Sequence, residues 1–255
     1  MITASIADEL TSVFAEAERS ILSRIAQNRG RQEPDLTSRL MEGIEIRSES
    51  IDGVRIAFDT IDGLGRNAAE SVVGADILGS IHINVGGVSM SKGFLLQAKM
   101  SGHDKLRFRP TGSRAAGPLD ASHVFDRGPI DRVGTGSSYR MGEVSGTVTI
   151  TRPSKRLEKQ CDDMLRLTPS SYVLVLDRRQ ITVVSAAAVR AHRHAESGVQ
   201  HELGTKTLSD FFINMADCFI GDDRLGSATQ ADLVARASLL NVPAALSVRI
   251  TDQPT

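Results

Sequence analysis

Three polar side chains occupy places in this sequence where apolar ones would be expected: Asp76, Gln97 and Lys99. In the run Gly93-Phe94-Leu95-Leu96-Gln97-Ala98-Lys99, strand side chains alternate with period two. Gln97 and Lys99 therefore share a face, and Ala98 points the other way. Asp76 belongs to the preceding alternating run, Val73 to Val85, which the turn signal Asn84-Val85-Gly86-Gly87 joins to the first as a hairpin. Folding the hairpin brings an acid, an amide carbonyl and an amine together at one end of an otherwise apolar sheet. Those groups suit phosphodiester hydrolysis. Asp76 and the Gln97 oxygen would hold a hard divalent cation through oxygen ligands. Lys99 would orient or polarise the attacking water and offset charge developing on the phosphate. Between Lys92 and Arg114 lie six basic residues (Lys92, Lys99, Lys105, Arg107, Arg109, Arg114) against one acid, Asp104. A phosphate backbone could lie along that segment, although charge runs are as often simply solvated.

The elements that must position these groups are legible in the pattern. Ile6, Leu10, Val13, Phe14, Ala17, Ile21 and Ile25 recur at helical spacing over residues 5–28. A polar break follows, and Asp35 is placed to cap a short second helix. Residues 54–63 alternate and end in Asp-Gly, a strand running into a turn. Residues 101–146 are rich in Gly, Ser, Arg and Pro with little periodicity, too long for a plain connection. Gly146 to Ile150 reads as a short strand. Pro153 and Ser154 then open a helix that faces Leu157, Cys161 and Leu165 inward, with Met164 a further candidate, and stops at Pro169. Two β-rich runs, SYVLVLD and ITVVSAA, surround the Asp177–Gln180 turn. The last 65 residues return mainly to helical patterns and close on the strand ALSVRI.

This order resembles the PD-(D/E)xK nuclease superfamily, in particular its Mrr-like branch with QxK in place of ExK. The resemblance rests on Gly74-Ala75-Asp76, on Lys92 to Lys99, and on the helix LEKQCDDML followed by the strand SYVLVLD. It covers about residues 50–185 and departs from the simple pattern at Gln97 and in the long loop. It implies an α/β restriction-endonuclease-like fold, a mixed sheet flanked by helices. The chain then divides into an N-terminal helical segment (1–50), a nuclease-like core (51–185) with a long loop at 101–153, and a helical C-terminal extension (186–255). Asp76 would be the metal-binding acid, Gln97 the second ligand position and Lys99 the catalytic lysine. Glu70 would be the extra acid, with Glu16 or Glu18 of the first helix as second choice. Lys92, Lys105, Arg107, Arg109 and Arg114 would contact nucleic acid. The implied activity is Mg²⁺- or Mn²⁺-dependent cleavage of DNA in prokaryotic defence or restriction, with a homo-oligomer or a partner protein completing the system. The rival reading is a nuclease-fold protein without activity that binds nucleic acid or serves in assembly.

Composition narrows the field. The 255 residues are 40% hydrophobic and 24% charged, enough for a folded core. Thirty Lys and Arg against 31 acids exclude a globally basic coat protein. Aromatics at 4% argue against a single-strand binder built on stacking rows. Cys161 and Cys218 form no CxxC pair, which disfavours a cysteine zinc site and fits a reducing cytoplasm. No apolar run spans a membrane. His192, His194 and His201 read as surface histidines, since no cysteine or carboxylate spacing supports a metal site. GTGSS at 134–138 lacks the Lys-Ser/Thr ending of a P-loop, and Gly63-Leu-Gly65 lacks a third glycine. Ser89-Met-Ser-Lys92 matches the SxxK of serine hydrolases but lies at a hairpin turn with no partner motif. Phe211, Phe212, Met215 and Phe219 at helical spacing read as core.

Overall fold

The computed structural model describes residues 2–27, 33–45, 49–51, 53–62, 73–110, 146–196, 198–217 and 220–252. Helices α1 (Ala4–Ala26) and α2 (Glu33–Glu45) precede strands β1 (Glu49–Ile51), β2 (Val54–Asp62), β3 (Ile77–Val85), β4 (Val88–Met100), β5 (Leu106–Pro110) and β6 (Gly146–Ile150). Helix α3 (Lys155–Leu167) leads to β7 (Ser171–Leu176), β8 (Ile181–Ser185) and α4 (Ala186–Ala191). The chain continues through β9 (His201–Leu203), β10 (Thr205–Thr207), α5 (Leu208–Ala216), α6 (Gln230–Leu240) and β11 (Ala244–Asp252). Eight strands form a mixed sheet in the order β1-β2-β11-β3-β4-β7-β8-β10, and β5-β6-β9 form a small second sheet. The architecture is α/β, with a large mixed sheet flanked by helices. No helix among the described residues is long and apolar enough to cross a membrane.

Alternation along β4 sorts the core into two layers. Phe94, Leu96 and Ala98 join one cluster with the α1 stripe, with Leu36 and Leu40 of α2, and with Phe211 and Phe212 of α5. Phe14 of α1 and Phe212 of α5 stack with ring centres 3.8 Å apart. Leu95 joins the opposite cluster with Leu157, Cys161 and Met164 of α3, Val189 of α4, Leu233 of α6, and the small sheet. Gln97 and Lys99 follow the parity of Leu95 and so face this second layer. The β3–β4 turn is built on Gly86 (φ 59°) and Gly87 (φ 78°), the two positive φ values a two-residue hairpin of type I′ requires.

Three features differ from the sequence expectations. Asp35 lies inside α2 rather than at its cap, because the helix starts at Glu33. The segment expected to be a long loop contains β5, whose Leu106 and Phe108 are buried against the second layer. The C-terminal region is not a helical appendage: β11 pairs antiparallel with β2 and parallel with β3, in the middle of the large sheet.

Glu18 joins α1 to the sheet, its Oε1 accepting the Ile181 N–H at 2.6 Å. Burial pushes its carboxyl up from the ordinary 4.5, and the Ile181 bond opposes that in part. The folded protein thus holds this proton more readily than the unfolded chain. The associated stability is complete below 4.5 and is lost as pH rises through the higher folded value. Glu18→Gln keeps an oxygen acceptor and removes the charge. It is expected to melt above wild type near pH ~7, with the gap closing toward pH ~4. Calorimetry across that range checks it; a gap independent of pH would refute it.

Candidate functional site

Asp76 stands one residue before β3, with its backbone clamped from both sides. Its N–H donates to Leu96 O at 2.8 Å, and its carbonyl accepts from the Ala244 N–H at 3.2 Å. The segment reaches this position because Gly74 (φ 72°) runs against α3. A Cβ there would lie 2.7 Å from the Gln160 Cα. Continuing the β3–β4 register places Asp76 opposite Gln97, on the layer of Leu78 and Leu95. Its Oδ2 accepts from Gln97 Nε2 at 2.5 Å and from the Ala98 N–H at 2.8 Å. Gln97 Nε2 also donates to Ala98 O at 3.1 Å. Both partners of the amide nitrogen are acceptors, which fixes the amide's orientation. The amide NH₂, not the oxygen, therefore faces Asp76. Gln97 here anchors the carboxylate, whereas the sequence suggested the two oxygens side by side.

Lys99 is 3% exposed, on the same face as Gln97. Its Nζ lies 3.7 Å from Asp104 Oδ2. Asp104 Oδ1 in turn accepts from Ser154 Oγ. Ser154 caps α3, its Oγ accepting the Leu157 N–H at 3.1 Å. Asp104 thus ties the lysine to the start of α3. It is held by a turn in which both Asp104 (φ 48°) and Lys105 (φ 65°) are left-handed without being glycine. Such backbone costs of order 1–3 kcal/mol per residue and persists only where surrounding contacts enforce it. About two helical turns into α3, Cys161 is fully buried. Burial pushes its thiol up to about 12, as do Asp162 and Asp104, while Lys99 pulls it down. A thiol so perturbed is no nucleophile at neutral pH.

Of the residues singled out in the sequence, Asp76 and Gln97 are hydrogen-bonded to each other, and Lys99 lies two residues on along the same face with its ammonium beside Asp104. Glu70 and Arg114 lie outside the described residues, as do GTGSS 134–138, Gly63-Leu-Gly65, Cys218 and Phe219. The α1 glutamates do not join the site, because α1 covers the opposite layer. Glu18 is bound to Ile181, and Glu16 lies 3.9 Å from Arg19. Lys92 shares the parity of Phe94, on the other face from Lys99 and about 23 Å away along the strand. The same parity puts Ser89 and Lys92 on opposite faces of β4, which dissolves the SxxK pair. Lys105, Arg107 and Arg109 are exposed beside the site. Phe211, Phe212 and Met215 are core. His192, His194 and His201 line a cavity of about 430 Å³ with Glu196. His192 Nδ1 is 2.9 Å from Ala188 O, and its ring lies 4.7 Å from that of His201.

Sequence reasoning missed Asp104 as a member of the site. Its only sequence signal was being the single acid in a basic run. On α3, whose backbone at Gln160 packs against Gly74, the buried Gln160 Oε1 has no hydrogen-bond partner among the described residues. Among those residues no three His, Cys, Asp or Glu side chains are grouped to hold a metal. The Asp76 carboxylate is a hard oxygen donor of the kind a Mg²⁺-class ion takes, while Gln97 presents its nitrogen rather than its oxygen to that carboxylate. Among the described residues that carboxylate alone is such a donor there, and further oxygen ligands would have to complete a set for an ion.

No protein-family model, curated protein or solved structure matches the chain. Fold and site together define an α/β protein in which a half-buried aspartate is bonded to a buried glutamine, with a buried lysine further along the same strand face.

Proposed function

We propose that the protein is a metal-dependent DNA endonuclease of the PD-(D/E)xK, restriction-endonuclease-like type, in its QxK form. The observation that carries this reading is the joining of Asp76 to Gln97, with Lys99 two residues on and facing the same layer. These groups sit where β4 runs parallel to β7, after a connection that includes α3. The hairpin, helix and parallel strand follow one another in the order the resemblance implies. The insertion of β11 between β2 and β3 goes beyond that pattern.

In this reading Asp76 would bind the cation, with Glu70 as the further acid the resemblance implies, Gln97 would hold the Asp76 carboxylate in place, and Lys99 would donate to a phosphate oxygen or to the attacking water. The cation, Mg²⁺ or Mn²⁺, supplies charge compensation on the phosphate and a more acidic water. Asp104 keeps the ammonium aimed from the β4–β5 turn. Because one centre cuts one strand, double-strand cleavage requires at least a dimer. A role in prokaryotic defence follows from the resemblance alone.

The second reading, a nuclease-fold subunit without turnover, draws support from the depth of Lys99 and from the amide nitrogen on Asp76. Incubation with supercoiled plasmid and linear duplex, in Mg²⁺, Mn²⁺ or EDTA, separates the two. Nicking that EDTA abolishes supports the nuclease. Intact DNA in every metal, with binding retained, supports the subunit.

A further inference from the structure

We propose that the outer face of β5 and the first turn of α3 form one continuous surface for the phosphate backbone of duplex DNA, with Arg152, Lys155 and Arg156 joining Lys105, Arg107 and Arg109. The nature of the ligand rests on the nuclease reading; the surface itself rests on geometry. In β5, Leu106 and Phe108 turn inward, so Arg107 and Arg109 turn out, and both are exposed. The antiparallel register sets Leu106 opposite Ile150 and Arg107 opposite Thr149, which brings the start of β5 beside the end of β6. Two residues past Ile150 comes Arg152, and two further comes Ser154, hydrogen-bonded to Asp104. Lys105 and Lys155 therefore flank a bonded pair, and Arg156 follows on the helix.

All six cations are exposed, and none is in an ion pair with another described residue. The acids nearby do not cancel them. Asp104 is committed to Lys99 and Ser154. Glu158 is half-buried in the first turn of α3, and Glu202 lies on the far strand of the small sheet, opposite Thr149. In a chain of net charge −1, six uncompensated cations on two adjoining elements are a local concentration of charge. The surface meets the candidate site at Asp104, whose carboxylate touches the Lys99 ammonium. A backbone laid along it passes the lysine. Contacts of this kind set position and orientation without reading bases, so binding is sequence-independent and steeply salt-dependent.

The test is fluorescence anisotropy with a labelled duplex in EDTA, so that cleavage plays no part, over about 50–200 mM salt. Arg152→Gln/Lys155→Gln/Arg156→Gln is expected to weaken binding about tenfold or more and to reduce the salt slope by about 2–3 units, for unrelated sequences alike. Arg107→Gln/Arg109→Gln is expected to reduce the slope by about 2. Arg178→Gln/Arg179→Gln, in the exposed β7–β8 turn, should leave it unchanged. A triple variant that binds like wild type, or no wild-type binding to duplex, overturns the surface. A preference for RNA or single strands over duplex overturns the duplex assignment. Wild-type binding with the expected slopes but without cleavage in any metal upholds the surface and sinks the nuclease. Cleavage with an unaffected triple variant does the reverse.

Discussion

Lys99→Met is expected to lower metal-dependent DNA cleavage by about 10²- to 10³-fold, the usual cost of removing one preorganised donor to developing negative charge. Methionine keeps the length and apolar stem of lysine, so the 3%-exposed site stays filled. What is removed is the ammonium. Asp104 then loses one partner but keeps Ser154, and at 19% exposure it retains access to water. The stability loss should therefore be about 1 kcal/mol, a Tm shift of about 2–4 °C in a chain of this size. DNA affinity in EDTA should match wild type, because the proposed backbone contacts lie on β5 and α3. Cleavage at the wild-type rate by a folded Lys99→Met protein would remove the lysine from the mechanism.

Gln97→Glu is expected to produce the largest metal-coupled change in stability. In the wild type the Gln97 nitrogen gives one hydrogen to Asp76 and one to Ala98 O. A carboxylate has no hydrogen to give, so two bonds are lost and two like charges meet in a buried place. Without metal the variant should lose roughly 2–4 kcal/mol, as when a buried partner is replaced by a clashing charge. Mg²⁺ or Mn²⁺ should restore much of the loss, since paired carboxylates suit a hard cation better than one acid and an amide. Lowering pH should help as well. A proton shared by the two acids binds the folded state more tightly than the unfolded one, so stability falls as pH rises. Thermal melts in EDTA and in Mg²⁺, from about pH 5 to 8, check both effects. A variant as stable as wild type and indifferent to metal would show that Asp76 and Gln97 are not arranged for a cation.

The parts of this fold that local pattern determines were readable from the chain. The α1 stripe, the β3–β4 hairpin and α3 with its Ser154 cap each bury a face whose period is visible in a dozen residues. The pairing of Asp76 with Gln97 was readable for the same reason, because a tight turn fixes register. β5 was not, since Leu-Arg-Phe-Arg is a short alternation inside a stretch rich in Gly and Arg. Asp104 escaped because its left-handed turn carries no glycine at the critical positions. The orientation of the Gln97 amide depends on which acceptors surround it, and that is a property of packing. The place of β11 is set by partners more than 150 residues away, which no local window contains.

That central strand also constrains when the protein can assemble. β3 carries Asp76 at its head, and until residues 244–252 are available it has no partner on the side away from β4. Closing contacts over such a separation is slow, and it exposes open strand edges meanwhile. On a ribosome, the hairpin and α1 would emerge long before the strand that locks them. The Asp76 carbonyl, which accepts from Ala244, would be fixed only at that last step. A nascent or truncated chain ending before Ala244 would lack a rigid centre, so any hydrolytic capacity would be withheld until synthesis had passed β11.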